Sequence, residues 1–296
     1  MRIYKFGGAS VKDANGVKNL ITILNTLGSE KTLIVVSAMG KTTNSLELVV
    51  KNYFDNKEEL QYSINEVFTF HNKILNDLFN DNKHQIFSDV KEILENLRIF
   101  LKRNKSPDYS FVYDQVVIFG EILSTKIINS YLIHSNIRCN WLDARTLIKT
   151  DSKYRDANLN WEITKNSISN GVNTKLLNIT QGFIASDSNN FSTTLGREGS
   201  DYTAAIFAYC LNAESVTIWK DVPGVLNADP RVFKKPQLLN KISYTEAIEL
   251  AFYGASVIHP KTLQPLQKKE IPLYVKSFLN PSGNGTAISR GTKIDP

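Results

Sequence analysis

The order of apolar patterns along this chain limits its fold more than any other feature. Arg2 to Phe6 and Thr32 to Ser37 (TLIVVS) are short runs rich in β-formers. Between them, Val11 to Leu27 carries Val17, Leu20, Ile21 and Leu24 at helical spacing. Strand, helix, strand in that order describes a parallel βαβ unit, because parallel neighbours need a crossover between them. Further strands read at Ile137 to Leu142, Leu176 to Ala185, Ser215 to Val222 and Ile271 to Val275. Helices read between them at Trp161 to Gly171, Asp201 to Asn212 and Tyr244 to Phe252. Such alternation predicts an α/β sandwich around a mostly parallel sheet.

One stretch breaks the alternation. From Asn44 to about His134 the pattern gives three or four helices and no strand. The last of them shows Phe119, Leu123, Ile127 and Tyr131 at i, i+4 spacing, which is one apolar stripe. This insertion either caps a substrate pocket or simply packs on the sheet. No run of about 18 apolar residues occurs, so no membrane span is expected. The N-terminus lacks the apolar stretch and cleavage site of a signal peptide. Two cysteines, Cys139 and Cys210, give no disulfide framework, and a reducing cytoplasm is the expected setting. The net charge is +6, but the basic residues are scattered among 29 acidic ones, which argues against a nucleic-acid surface and fits an anionic small ligand.

Several loops carry candidate chemistry. Lys5-Phe6-Gly7-Gly8-Ala9-Ser10 follows the first strand. Paired glycines let backbone N–H groups approach phosphate oxygens, the next helix N-terminus adds partial positive charge, and Lys5 adds a full one. Gly40-Lys41-Thr42 imitates the end of a P-loop, but the first glycine of that motif would fall at Val35, inside a strand. No G-x-G-x-x-G follows a predicted strand, which weighs against dinucleotide binding. Ser37 to Asn44 forms a polar turn at a strand C-terminus, where open parallel sheets bind ligands. Glu121, in the otherwise apolar Val116 to Leu123, needs a cation, either a ligand ammonium or a structural partner. Thr193 to Asp201 offers Arg197 before a helix that Ser200 is placed to cap, and arginine suits a carboxylate through its planar fork. Trp219 to Val225, then Asn227 to Arg231, offers carboxylates and an arginine to a nucleotide.

In this order, Lys5-Phe6-Gly7-Gly8, Ser37-Ala38-Met39-Gly40, Gly120-Glu121, Gly196-Arg197, Gly199-Ser200-Asp201, Asp221-Val222-Pro223-Gly224 and Asp229-Pro230-Arg231 resemble the catalytic domain of aspartate kinases, within the amino-acid kinase family. The resemblance covers nearly the whole chain. It implies a three-layer α/β/α sandwich, and transfer of the ATP γ-phosphate to the side-chain carboxylate of L-aspartate, the first step toward lysine, threonine and methionine. Lys5 and Asp201 would be catalytic, with Lys5, Gly7, Gly8, Lys220, Asp221 and Arg231 holding ATP. Ser37, Thr43, Glu121 and Arg197 would bind aspartate, with Glu121 reading its amino group. Mg²⁺ would accompany ATP without direct protein ligands, and a homodimer is implied. The resemblance makes residues 1–296 one catalytic domain with its helical insertion at about 44–134. The small regulatory ACT modules of most members would lie outside it.

The chemistry agrees with the inventory. A carboxylate acceptor is ionised at neutral pH, so no general base is required. Phosphoryl transfer asks chiefly for positioning and charge stabilisation. The four histidines lack metal-ligand spacing, and His259 before Pro260 reads as structural. Departures from the commoner pattern are Ala9 for a hydroxyl residue, Glu198 for glycine, Lys220 for threonine, Leu226 for an aromatic and Ser256 for lysine. Glu198 could pair with Arg197 or a nearby lysine.

Overall fold

The computed structural model describes residues 1–229, 232–253 and 258–291. Its strands are β1 (Arg2–Phe6), β2 (Thr32–Val36), β3 (Asn140–Leu142), β4 (Asn178–Gln181), β5 (Ile184–Ser186), β6 (Ser192–Thr194), β7 (Ser215–Lys220), β8 (Lys241–Ser243), β9 (Leu273–Ser277) and β10 (Thr286–Ser289). Its helices are α1 (Ala14–Leu27), α2 (Thr42–Asp55), α3 (Lys57–Leu78), α4 (Ile86–Arg103), α5 (Tyr109–His134), α6 (Ala144–Leu147), α7 (Trp161–Gly171), α8 (Gly199–Leu211), α9 (Tyr244–Phe252) and α10 (Pro260–Lys268).

Eight strands form one sheet in the order β3-β4-β2-β1-β7-β9-β10-β8. All its pairings are parallel except β9 with β10. The predicted α/β/α sandwich is therefore present. Strand β1 lies at the centre, with Lys5 in register between Val35 of β2 and Ile218 of β7. Because side chains alternate along a strand, β1 serves both layers. Tyr4 and Phe6 join Ile34, Val36 and Trp219 in a core shared with α1 to α5. Ile3 joins Leu33, Val35 and Ile218 in a second core under α6 to α10. Lys5 shares the face of Ile3, and so points toward the α8 side.

The 44–134 stretch resolves into four helices, α2 to α5, with no strand among them, as expected. They pack on the sheet, and two of them also reach the site described below. The single-stripe reading of α5 needs correction, because both cores bury its residues: Leu123 and Ile127 lie in one, Ile118 and Ile122 in the other. A helix apolar on all sides is a buried one. By length and composition α5 could cross a membrane, against the sequence expectation, but 67% of its most apolar window is covered by protein.

Other boundaries shift for local reasons. Helix α1 starts at Ala14, capped by the Asp13 carboxylate accepting from the Gly16 N–H at 2.9 Å. A short 3₁₀ turn, Gly8–Val11, precedes it. The predicted strand Leu176 to Ala185 is two strands: β4 stays in the main sheet, whereas β5 pairs with β6 in a separate antiparallel hairpin. The break falls at Gly182 and Phe183, where φ turns to +71°.

Candidate active site

A cavity of about 330 Å³ opens where β1, β7, α2, α5 and α8 converge. Lys5, Ser37, Thr43, Glu121, Asp201 and Lys220, all expected at the site, line it. Lys5 and Asp201 are buried, and Lys5 Nζ lies 2.7 Å from Asp201 Oδ1. That oxygen makes no hydrogen bond of acceptable angle, so charge holds the pair. Lys220 Nζ stands 3.8 Å from the other oxygen, Oδ2. One carboxylate thus faces two ammonium groups beside the first turn of α8, whose helix dipole adds positive potential there.

Glu121 enters from α5 and is 2% exposed. Its Oε1 accepts from the Ala38 N–H at 3.4 Å, and Oε2 has no hydrogen-bond partner. Burial pushes its carboxyl up to about 8, with the Ala38 N–H pulling weakly the other way. No lysine or arginine forms an ion pair with it among the described residues, so of the two roles open to it the structural ion pair is not made. Gly120 makes its approach feasible: a Cβ there would sit 3.0 Å from the Ala38 Cβ and 3.2 Å from Leu46.

The Gly7-Gly8 loop differs from its expected form. Helix α1 begins too late to point at this loop, and the helix N-termini at the cavity belong to α2 and α8. Gly8 instead locks two loops together, its carbonyl accepting from the Gly40 N–H at 3.0 Å. A Cβ on Gly8 would stand 2.8 Å from the carbonyl oxygens of Ala38 and Gly40, so no larger residue fits. Gly7 lies beside the lysine, with its Cβ position 3.3 Å from Lys5 Nζ.

Two expected residues stand apart. Arg197 is exposed, between the lining residues Gly196 and Glu198, and forms no ion pair among the described residues. Asp221 is exposed and outside the cavity lining. Arg231 and Ser256 lie outside the described residues. Ser200 does not cap α8: the N-cap is Glu198, at φ +53°, and it makes no side-chain capping bond. His259 does cap α10, its Nδ1 accepting from the Lys261 N–H at 3.2 Å. Sequence reading missed Phe183 as a lining residue, and the signal was Gly182 interrupting the predicted strand.

Behind the cavity, α5 ties the hairpin in place. Buried Asp114 accepts from the Thr194 N–H at 2.9 Å, the Thr194 hydroxyl at 2.8 Å and the Arg155 N–H at 3.0 Å. Burial still holds its carboxyl up at about 6, those donors opposing the shift.

The amino acid kinase family model matches residues 1–277. The chain belongs to that family. Lysine-sensitive aspartokinase 3 of Escherichia coli is 31% identical to this chain over 306 residues, which is 99% of the chain and 65% of that enzyme. The chloroplastic bifunctional aspartokinase/homoserine dehydrogenase 2 of Arabidopsis thaliana is 30% identical over 99% of the chain and 33% of its own length. Among solved structures, E. coli aspartokinase III in complex with aspartate and ADP superposes with a TM-score of 0.90 at 30% identity, covering 100% of this chain and 66% of that one. The chain therefore spans from about a third to about two thirds of these relatives' lengths.

Proposed function

We propose that this amino acid kinase transfers the γ-phosphoryl group of ATP to the side-chain carboxylate of L-aspartate. The observation that carries the reading is a single cavity holding a buried glutamate, one oxygen of which has no hydrogen-bond partner, together with a Lys5–Asp201–Lys220 charge cluster. The first suits an ammonium and the second a phosphate. Likeness to aspartokinases supports the choice of aspartate over other carboxylates.

In this reading the acceptor carboxylate arrives ionised and attacks the γ-phosphorus in line, so no residue need remove a proton. Lys5 meets the charge on the transferring oxygens, and Asp201 fixes where its ammonium sits. Glu121 and Thr43 hold the amino-acid end of the acceptor, with Glu121 ionising as the ammonium arrives. Arg197, exposed beside the cavity, closes on the substrate carboxylate. Mg²⁺ bound with the nucleotide would supply neutralisation of phosphate charge; Asp201, the carboxylate of the phosphate cluster, is already held by Lys5 and Lys220.

The test is ADP release that depends on both L-aspartate and Mg²⁺. Release with glutamate, carbamate or UMP but not with aspartate would sink the assignment. Arg197→Ala is expected to raise KM for aspartate about 10- to 100-fold, the range of a charged hydrogen-bonded contact, with kcat changed less than about threefold. Steady-state kinetics with varied aspartate checks it; an unchanged KM removes Arg197 from the site.

A further inference from the structure

The phosphate side of the cavity contains a charge that the mechanism above does not use. Glu198 lines the cavity from the cap of α8, and its Oε2 is buried without a hydrogen-bond partner. Its backbone sits in the left-handed region at φ +53°, where side chains other than glycine are strained. The cap bond that could repay such a position is absent. A residue kept in a strained conformation without local benefit is a candidate for a role in the site.

The groups acting on Glu198 come from four elements. Lys220 at the end of β7, Lys5 on β1 and His259 before α10 favour its charged form, whereas Asp201 on α8 and burial oppose it, burial most strongly. The carboxylate therefore lies in the field of the same lysines that would meet a phosphate. Counting side chains here, Lys5 and Lys220 supply two positive charges, and Asp201 and Glu198 supply two negative ones. We propose that the Glu198 carboxylate is an internal counter-ion for Lys5 and Lys220, which an incoming polyphosphate must displace or repel, so that this residue weakens and thereby sets the affinity for the phosphoryl donor. The inference rests on reading the cluster as the phosphate site.

Coulomb attraction at an effective dielectric near 20 makes one charge lining the same cavity worth about a tenfold change in affinity after screening. The probe is inorganic triphosphate, titrated by calorimetry into the wild type, Glu198→Gln and Glu198→Gly. Glu198→Gln removes the charge and keeps a side chain in the strained backbone. Glu198→Gly removes both charge and strain, and guards against a variant that fails to fold. Both are expected to bind triphosphate about tenfold more tightly than the wild type, with the gain shrinking as salt rises. In turnover, KM for ATP falls while kcat does not rise. Affinities within twofold of the wild type, weaker binding, or no triphosphate binding by any of the three proteins overturn the inference. Failure of the aspartate kinase reading looks different: aspartate-dependent ADP release is then missing while the gain in triphosphate affinity persists.

Discussion

Lys5→Ala is expected to lower kcat by about a thousandfold or more, because the ammonium is preorganised where charge develops on the transferring phosphoryl group. Such donors act in a site screened from water, and Lys5 is buried at the centre of the sheet. The same substitution has a structural cost. It leaves Asp201, 2% exposed, facing only Lys220 at 3.8 Å. Breaking a buried pair costs about 3–5 kcal/mol, since the remaining charge is uncompensated. Loss of activity alone would therefore not separate catalysis from unfolding. The double variant Lys5→Ala/Asp201→Asn separates them: thermal stability should recover much of the loss, and turnover should not. Single-turnover measurement on this folded double variant is the decisive assay, and a rate near that of the wild type would remove Lys5 from the chemistry.

The second large effect concerns Glu121 and pH. Its carboxyl stands at about 8 in the folded chain against an ordinary 4.5. The folded state thus keeps a proton that the unfolded chain releases between those values. Stability must then fall as pH rises through that window, by up to several kcal/mol on the scale of about 1.4 kcal/mol per unit. Glu121→Gln cannot ionise and should lack this fall, so the melting temperatures of the two proteins diverge as pH rises from 4.5 to about 8 and run parallel above it, the variant being the more stable there. Aspartate binding acts on the same group. An arriving ammonium favours the carboxylate, so at pH 7 binding should release a proton, visible as a dependence of calorimetric heat on buffer ionisation. Glu121→Gln should abolish that release and raise KM for aspartate about 100-fold, as expected when a charged partner is lost in a buried site. Parallel melting curves across pH, together with unchanged proton release, would show that the residue is not the ammonium reader.

Much of this architecture could be read from the chain because its signals are local. The β1–α1–β2 unit needs only apolar spacing, and the helices from residue 42 to residue 134 need only the absence of strand patterns. The hairpin of β5 and β6 was not legible. Each strand is three residues long, and what holds the hairpin is Asp114, about 80 positions away on another element. The site divides in the same way. Lys5, Thr43, Glu121 and Asp201 sit in motifs whose chemistry can be named from residue types. Phe183 and the position of Glu198 depend on backbone turns in which the positive φ falls on the non-glycine residue itself and not on the glycine beside it.

Helix α5 works as a ruler. Asp114 and Glu121 are seven residues apart, about two turns, so both lie on one face with a rise of roughly 10 Å between them. One end anchors the hairpin leading toward Arg197, and the other carries the carboxylate whose Oε2 has no hydrogen-bond partner. Distances inside the cavity are therefore graduated by a rigid rod and not by loops. A one-residue insertion between the two carboxylates would swing Glu121 by about 100° out of the cavity. Over this segment, substitutions can be absorbed where a change of length cannot.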